Sequence, residues 1–115
     1  MSKSPLTTHV LDTATGKPAA GLALALSQAQ ADGSWRELAS GVTNSDGRVA
    51  DLLTPGSLTP GVYQMRFETG VYHQNQGVEG FYPEAVICFV IKNTDEHYHI
   101  PLLLSPFGYS TYRGS

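Results

Sequence analysis

Cysteine is nearly absent from this chain of 115 residues: Cys88 stands alone, with no second cysteine to pair with. A disulfide-stapled secreted scaffold is thereby excluded. Charge is scarce as well, at 15% of residues with a net of −3. Lys and Arg are scattered, so the electrostatic footprint of a nucleic-acid binder is missing. No apolar run approaches the ~20 residues that a membrane-crossing helix needs. There is no phosphate-cradling glycine loop, no Gly-x-Ser-x-Gly elbow and no cysteine pair with zinc spacing. The opening from Met1 to Leu6 holds one cation and no apolar segment of the secretory kind, and the chain end is not a peroxisomal tripeptide. The expected location is the cytoplasm.

What is present is punctuation. Twelve glycines and seven prolines lie between short apolar segments without repeating any of them. Such a turn-rich, charge-poor composition favours many short strands over long solvated helices. Leu6 to Asp12 alternates, with Leu6, Thr8 and Val10 on one face and Thr7, His9 and Leu11 on the other. Gly21 to Ser27 reads as a strand with Leu22, Leu24 and Leu26 turned inward. Trp35 to Val42 and Gly61 to Glu68 alternate too, and Arg48 opens a short strand through Leu53, directly after the turn Asn44 to Gly47. Glu84 to Ile91 is nearly all apolar and β-branched, which predicts a central strand. His97 to Leu104 alternates around Pro101, and a proline there predicts an edge or a locally unpaired position. Tyr109 to Tyr112 follows the turn at Ser105 to Gly108. Glu68 to Gly77 lacks strand alternation and supplies the one short helix. The expectation is one domain over residues 1–115: an all-β, antiparallel sandwich of about eight short strands with one short helix.

Side chains that carry chemistry are few. His97-x-His99 sets two imidazoles on one face of a strand, a spacing that can chelate a metal, yet no third ligand is implied, so no metal is expected. His9 lies opposite the apolar face of its strand and so points outward. Arg48 after its turn reads as solvated, and Cys88 between Ile87 and Phe89 as a small buried hydrophobe. The six tyrosines read as strand packing with a polar tip. These residues support a sandwich and hint at a His/Arg site, without specifying a reaction.

Three motifs narrow the reading. LTTHVLDTATGKPA at 6–19 resembles the N-terminal signature of the transthyretin-related proteins, and LLLSPFGYST at 102–111 their C-terminal one. The final YRGS at 112–115 resembles the mark of the enzymatic branch, which hydrolyses 5-hydroxyisourate. The resemblance implies a transthyretin-like sandwich and, at His9, Arg48 and His99, the three residues that separate the enzymes from hormone-carrying transthyretins, which have lysine, glutamate and threonine there. It implies catalytic roles for these three, and substrate contacts from His9, Arg48, Tyr112, Arg113 and Ser115. It also implies a homotetramer, a dimer of dimers with sites in a channel where dimers meet. No cofactor and no metal is called for, because water is the nucleophile; nucleic acid and membrane are not partners. His73 and His97 match no catalytic position. The competing expectations are a transthyretin-like carrier that binds a small ligand without reacting it, and a purely structural sandwich module.

Overall fold

The computed structural model describes residues 4–114. Nine strands and one helix follow in the order β1 (Leu6–Asp12), β2 (Lys17–Pro18), β3 (Ala23–Ala29), β4 (Trp35–Val42), β5 (Arg48–Val49), β6 (Gly61–Phe67), α1 (Thr69–Asn75), β7 (Ala85–Ile91), β8 (Tyr98–Ser105) and β9 (Gly108–Thr111). They build the two sheets of a sandwich. One runs β2-β1-β8-β9, with β5 also on β1, and the other runs β4-β3-β6-β7. The alternating segments became strands because period-2 patterning leaves one face to bury. Leu6, Thr8, Val10 and Asp12 of β1 are buried, whereas Thr7, His9 and Leu11 are only partly covered. Tyr98, Ile100, Leu102 and Leu104 face the same core from β8, and Leu24, Leu26, Tyr63, Met65 and Phe67 meet them from the second sheet.

Three differences from the sequence reading have physical causes, and a fourth feature meets the reading of Pro101. First, β1 and β8 pair in parallel, against an otherwise antiparallel pattern. The chain crosses to the second sheet between them, and that crossover is long enough to bring β8 back in the same direction. Second, the strand opening at Arg48 ends at Val49. Leu52 and Leu58 instead turn inward as buried loop anchors. Third, β7 is an edge strand, not a central one. Its outer residues Val86 and Val90 stay 39% and 54% exposed, and Cys88, on that same outer face, is exposed where a buried thiol was expected. Fourth, β8 is an inner strand, yet the β8–β9 ladder stops at Leu102↔Thr111 and resumes only as a bridge at His99↔Gly114. Pro101, lacking an N–H, sits in that gap, where the Thr111 hydroxyl donates to its carbonyl at 2.7 Å. The unpaired position expected from Pro101 is therefore present inside the sheet.

The helix lies within the segment expected to supply it, and its Tyr72 ties it to β1. The Tyr72 hydroxyl donates to Asp12 Oδ2 at 2.8 Å, while the amides of Ala14 and Thr15 donate to Oδ1. A buried carboxylate is tolerable only with such donors. Burial, then the Asp12 carboxylate itself, pushes the Tyr72 hydroxyl up to about 12.

Candidate active site

The outward face of the first sheet gathers the residues singled out in the sequence. Residues directly opposite in a ladder share a face, and His9 stands opposite Arg48 while Thr7 stands opposite His99. Thr7 and His9 are two apart on one strand, so all four side chains rise from the same side of the sheet. A turn determines where Arg48 stands. Asn44 Oδ1 accepts from the amides of Asp46 and Arg48 at 2.9 and 3.1 Å, and the Asn44 amide donates to the Arg48 carbonyl. Gly47 closes the turn at φ 75°, and a Cβ on it would lie 2.4 Å from the Val10 carbonyl oxygen. Only glycine satisfies both demands, and in doing so it pins Arg48 beside His9.

His99 is the most constrained member. Its Nδ1 lies 2.9 Å from the Thr7 hydroxyl, which also lies 2.8 Å from Nε2 of His97. The Gly114 amide donates to the His99 carbonyl at 2.9 Å. A Cβ on Gly114 would stand 2.6 Å from the ring's Cδ2 and 3.2 Å from Cγ. The ring is thus held between a hydroxyl and a glycine. Its pKa lies below the usual imidazole value, first through burial and then through the Arg48 guanidinium, with the neighbouring His9 and His97 rings adding to it. These surroundings favour the neutral imidazole, with Nε2 the nitrogen that no described residue engages by hydrogen bond.

Other sequence-predicted residues are placed elsewhere. Arg113 ion-pairs with Glu96 at 3.1 Å and lies over the Tyr98 ring at 4.4 Å, on the core side of the sheet. In the single chain it is not brought to the histidines. There it lines a cavity of about 440 Å³ between β7 and β8, with Ile87, Phe89, Tyr98 and Ile100. Tyr112 is 59% exposed beside the Pro101 gap. Ser115 falls outside the described residues. His73 is buried in α1 and takes no part in the cluster. Among the described residues no three His, Cys, Asp or Glu side chains converge as a metal-binding set would. Reading the sequence missed Thr7 and Gly114 as partners of His99 and set His97 aside. The His-x-His spacing was the available signal for His97; the other two needed the register.

A base, a second imidazole and a guanidinium on one solvent-facing patch suit water attack on a polarised carbonyl. Comparison with known proteins adds the context. The chain is 51% identical over 113 residues to mouse 5-hydroxyisourate hydrolase, covering 97% of this chain and 96% of that one. It superimposes on Klebsiella pneumoniae 5-hydroxyisourate hydrolase with a TM-score of 0.83 at 39% identity, covering 99% and 100% of the two chains. Sea bream transthyretin in complex with thyroxine gives 0.93, also at 39% identity, over 96% and 95%. The backbone alone therefore does not separate enzyme from carrier. The model of the HIUase/Transthyretin family matches residues 6–114. With that match and these likenesses over nearly its whole length, the chain belongs to the HIUase/Transthyretin family.

Proposed function

We propose that this protein is a hydrolase that opens the six-membered ring of 5-hydroxyisourate to give 2-oxo-4-hydroxy-4-carboxy-5-ureidoimidazoline. The observation that carries the reading is the ladder register that sets His9, Arg48 and His99 on one face. Water adds across an amide-like C–N bond: its oxygen joins the carbonyl carbon, and its proton ends on the leaving nitrogen. His99 and His9 take the water proton and deliver one to nitrogen, a pair of roles imidazole fills near neutrality. Arg48 keeps its proton and presents a planar fork, so it binds the substrate oxygens and stabilises the developing oxyanion. Tyr112 contacts substrate, with Arg113 and Ser115 shaping the site. Two imidazoles and a guanidinium supply the base, the acid and the oxyanion stabiliser, so the reading calls for no metal or organic cofactor, and turnover survives a strong chelator.

The site completes itself in a homotetramer, a dimer of dimers. Both sheets end in unpaired strands on one side, β7 and β9, and the cavity opens between them. An unpaired edge carrying Val86 and Val90 is a template for a second copy. A further pairing through the outward face would enclose His9 and His99, which lie half-open on one chain. Two-fold symmetry then repeats each site.

The test adds the protein to freshly oxidised urate and follows the near-ultraviolet intermediate. The reading expects decay faster than the spontaneous rate, at a rate proportional to enzyme and sustained over many turnovers. Disappearance limited to one equivalent per site, with the ligand recovered unchanged, would identify a carrier instead.

A further inference from the structure

Three features stand outside the chemistry described so far: the buried His73, the cavity between β7 and β8, and the hydroxyl shared by two histidines. The third carries an inference. Thr7 has a single hydroxyl proton, yet its oxygen lies within hydrogen-bond distance of Nδ1 of His99 and Nε2 of His97. At most one ring nitrogen can accept from it, and when the hydroxyl donates to one ring and accepts from the other the tautomers of the two rings are coupled. His97 is exposed on the protomer, whereas His99 is half-buried near the Arg48 guanidinium.

We propose that Thr7 and His97 form a proton relay that carries the proton collected by His99 out to solvent. The proposal rests on the proposed hydrolysis and gives His99, of the two histidines, the part of the base. In the resting state His99 donates from Nδ1 to the Thr7 oxygen, the Thr7 hydroxyl donates to Nε2 of His97, and Nε2 of His99 is free. Water gives its proton to that nitrogen as its oxygen attacks. The imidazolium then passes its Nδ1 proton to the Thr7 oxygen while the hydroxyl proton moves to Nε2 of His97. His99 is neutral again, and His97, now cationic, releases its Nδ1 proton to water or buffer. His99 then holds its proton on Nε2 and gives it to the leaving nitrogen while the chain runs back, with His97 regaining a proton from solvent at Nδ1, so the resting tautomers return and no electrons are exchanged. The direction follows from electrostatics, because the proton leaves a ring crowded by Arg48 and His9 for one on the open surface. Thr7 and His97 touch no substrate. They are positioning residues acting through His99.

The experiment measures kcat, KM and their pH dependence for the wild-type tetramer and for Thr7→Val, Thr7→Ser, His97→Gln and His99→Ala, each in dilute buffer and in concentrated imidazole buffer. Thr7→Val and His97→Gln are expected to lose on the order of tenfold or more in kcat in dilute buffer with KM nearly unchanged, the lower end of proton-transfer effects. Concentrated imidazole restores most of that loss, and Thr7→Ser keeps the wild-type rate. Wild-type kcat for His97→Gln in dilute buffer would overturn the relay, as would a loss that imidazole does not restore, since a purely structural role is insensitive to buffer. His97 is exposed, so this variant keeps the test decisive even if Thr7→Val folds poorly. His99→Ala separates the two claims. If it is inactive while His97→Gln is normal, the relay alone fails; if His99→Ala turns over normally, the assignment of the base fails with it.

Discussion

His99 sets the electrostatics of the site, and its lowered pKa has a definite sign. Burial and the nearby Arg48 guanidinium oppose the imidazolium, so the folded protein takes up this proton at lower pH than the unfolded chain does. As pH falls through the ordinary imidazole value of 6.5, the unfolded chain binds the proton first. The stability linked to His99 is therefore complete above that pH and is lost as pH drops toward the folded value. NMR titration of the ring should give a midpoint below 6.5, and Arg48→Met should raise it; an unchanged midpoint in the variant would remove Arg48 from the list of causes. Gly114 belongs to the same scale. A Cβ there would overlap Cδ2 and crowd Cγ, atoms that cannot step aside unless the whole ring rotates. Gly114→Ala is expected to lower kcat at least tenfold with folding intact, because a reacting group displaced by about 1 Å costs up to two orders of magnitude. Wild-type turnover in that variant would show that the ring has room.

Single elements explain what patterning could reveal and what it could not. β1 was legible to the residue, because Leu6, Thr8 and Val10 needed one buried face and His9 fell on the other. β7 was not. An apolar run such as Val86 to Val90 reads as buried on both sides, and nothing local says that its outer face stays uncovered in the protomer. Arg48 was placed after a turn correctly, but its strand stops at once because Leu52 anchors a loop. That turn is itself testable: Gly47→Ala forces positive φ on a side chain and drives it against the Val10 carbonyl. It should cost about 2 kcal/mol in urea unfolding and also weaken substrate binding through Arg48. The helix offers a second case. Tyr72→Phe removes one of the donors to the buried Asp12 carboxylate and should destabilise by about 1.5 kcal/mol, lowering Tm by several degrees. A change below about 0.3 kcal/mol would mean that the two backbone amides suffice.

At the scale of the molecule, the residues of the site were named by the motifs they sit in, but their convergence was not readable. Thr7 and His99 lie 92 positions apart and meet only because β1 and β8 pair in parallel, a long-range choice that no local pattern encodes. The proposed homotetramer draws on what the two sheets leave open. The first sheet presents the histidines on a half-open face, and β9 in it and β7 in the second sheet are each paired on one side only. Val90→Lys on the β7 edge should therefore reduce the mass seen by light scattering and lower turnover together. A full-size, fully active assembly in that variant would place the contact elsewhere. The most direct measurement compares the decay of freshly formed 5-hydroxyisourate in the presence of wild-type protein and of His9→Ala, Arg48→Ala and His99→Ala, each first shown to keep its assembly. The wild type should outrun the spontaneous reaction, and each variant should fall by roughly 100-fold or more. Decay at the wild-type rate in any two of the three would contradict the assignment of this cluster as the centre where the ring is opened.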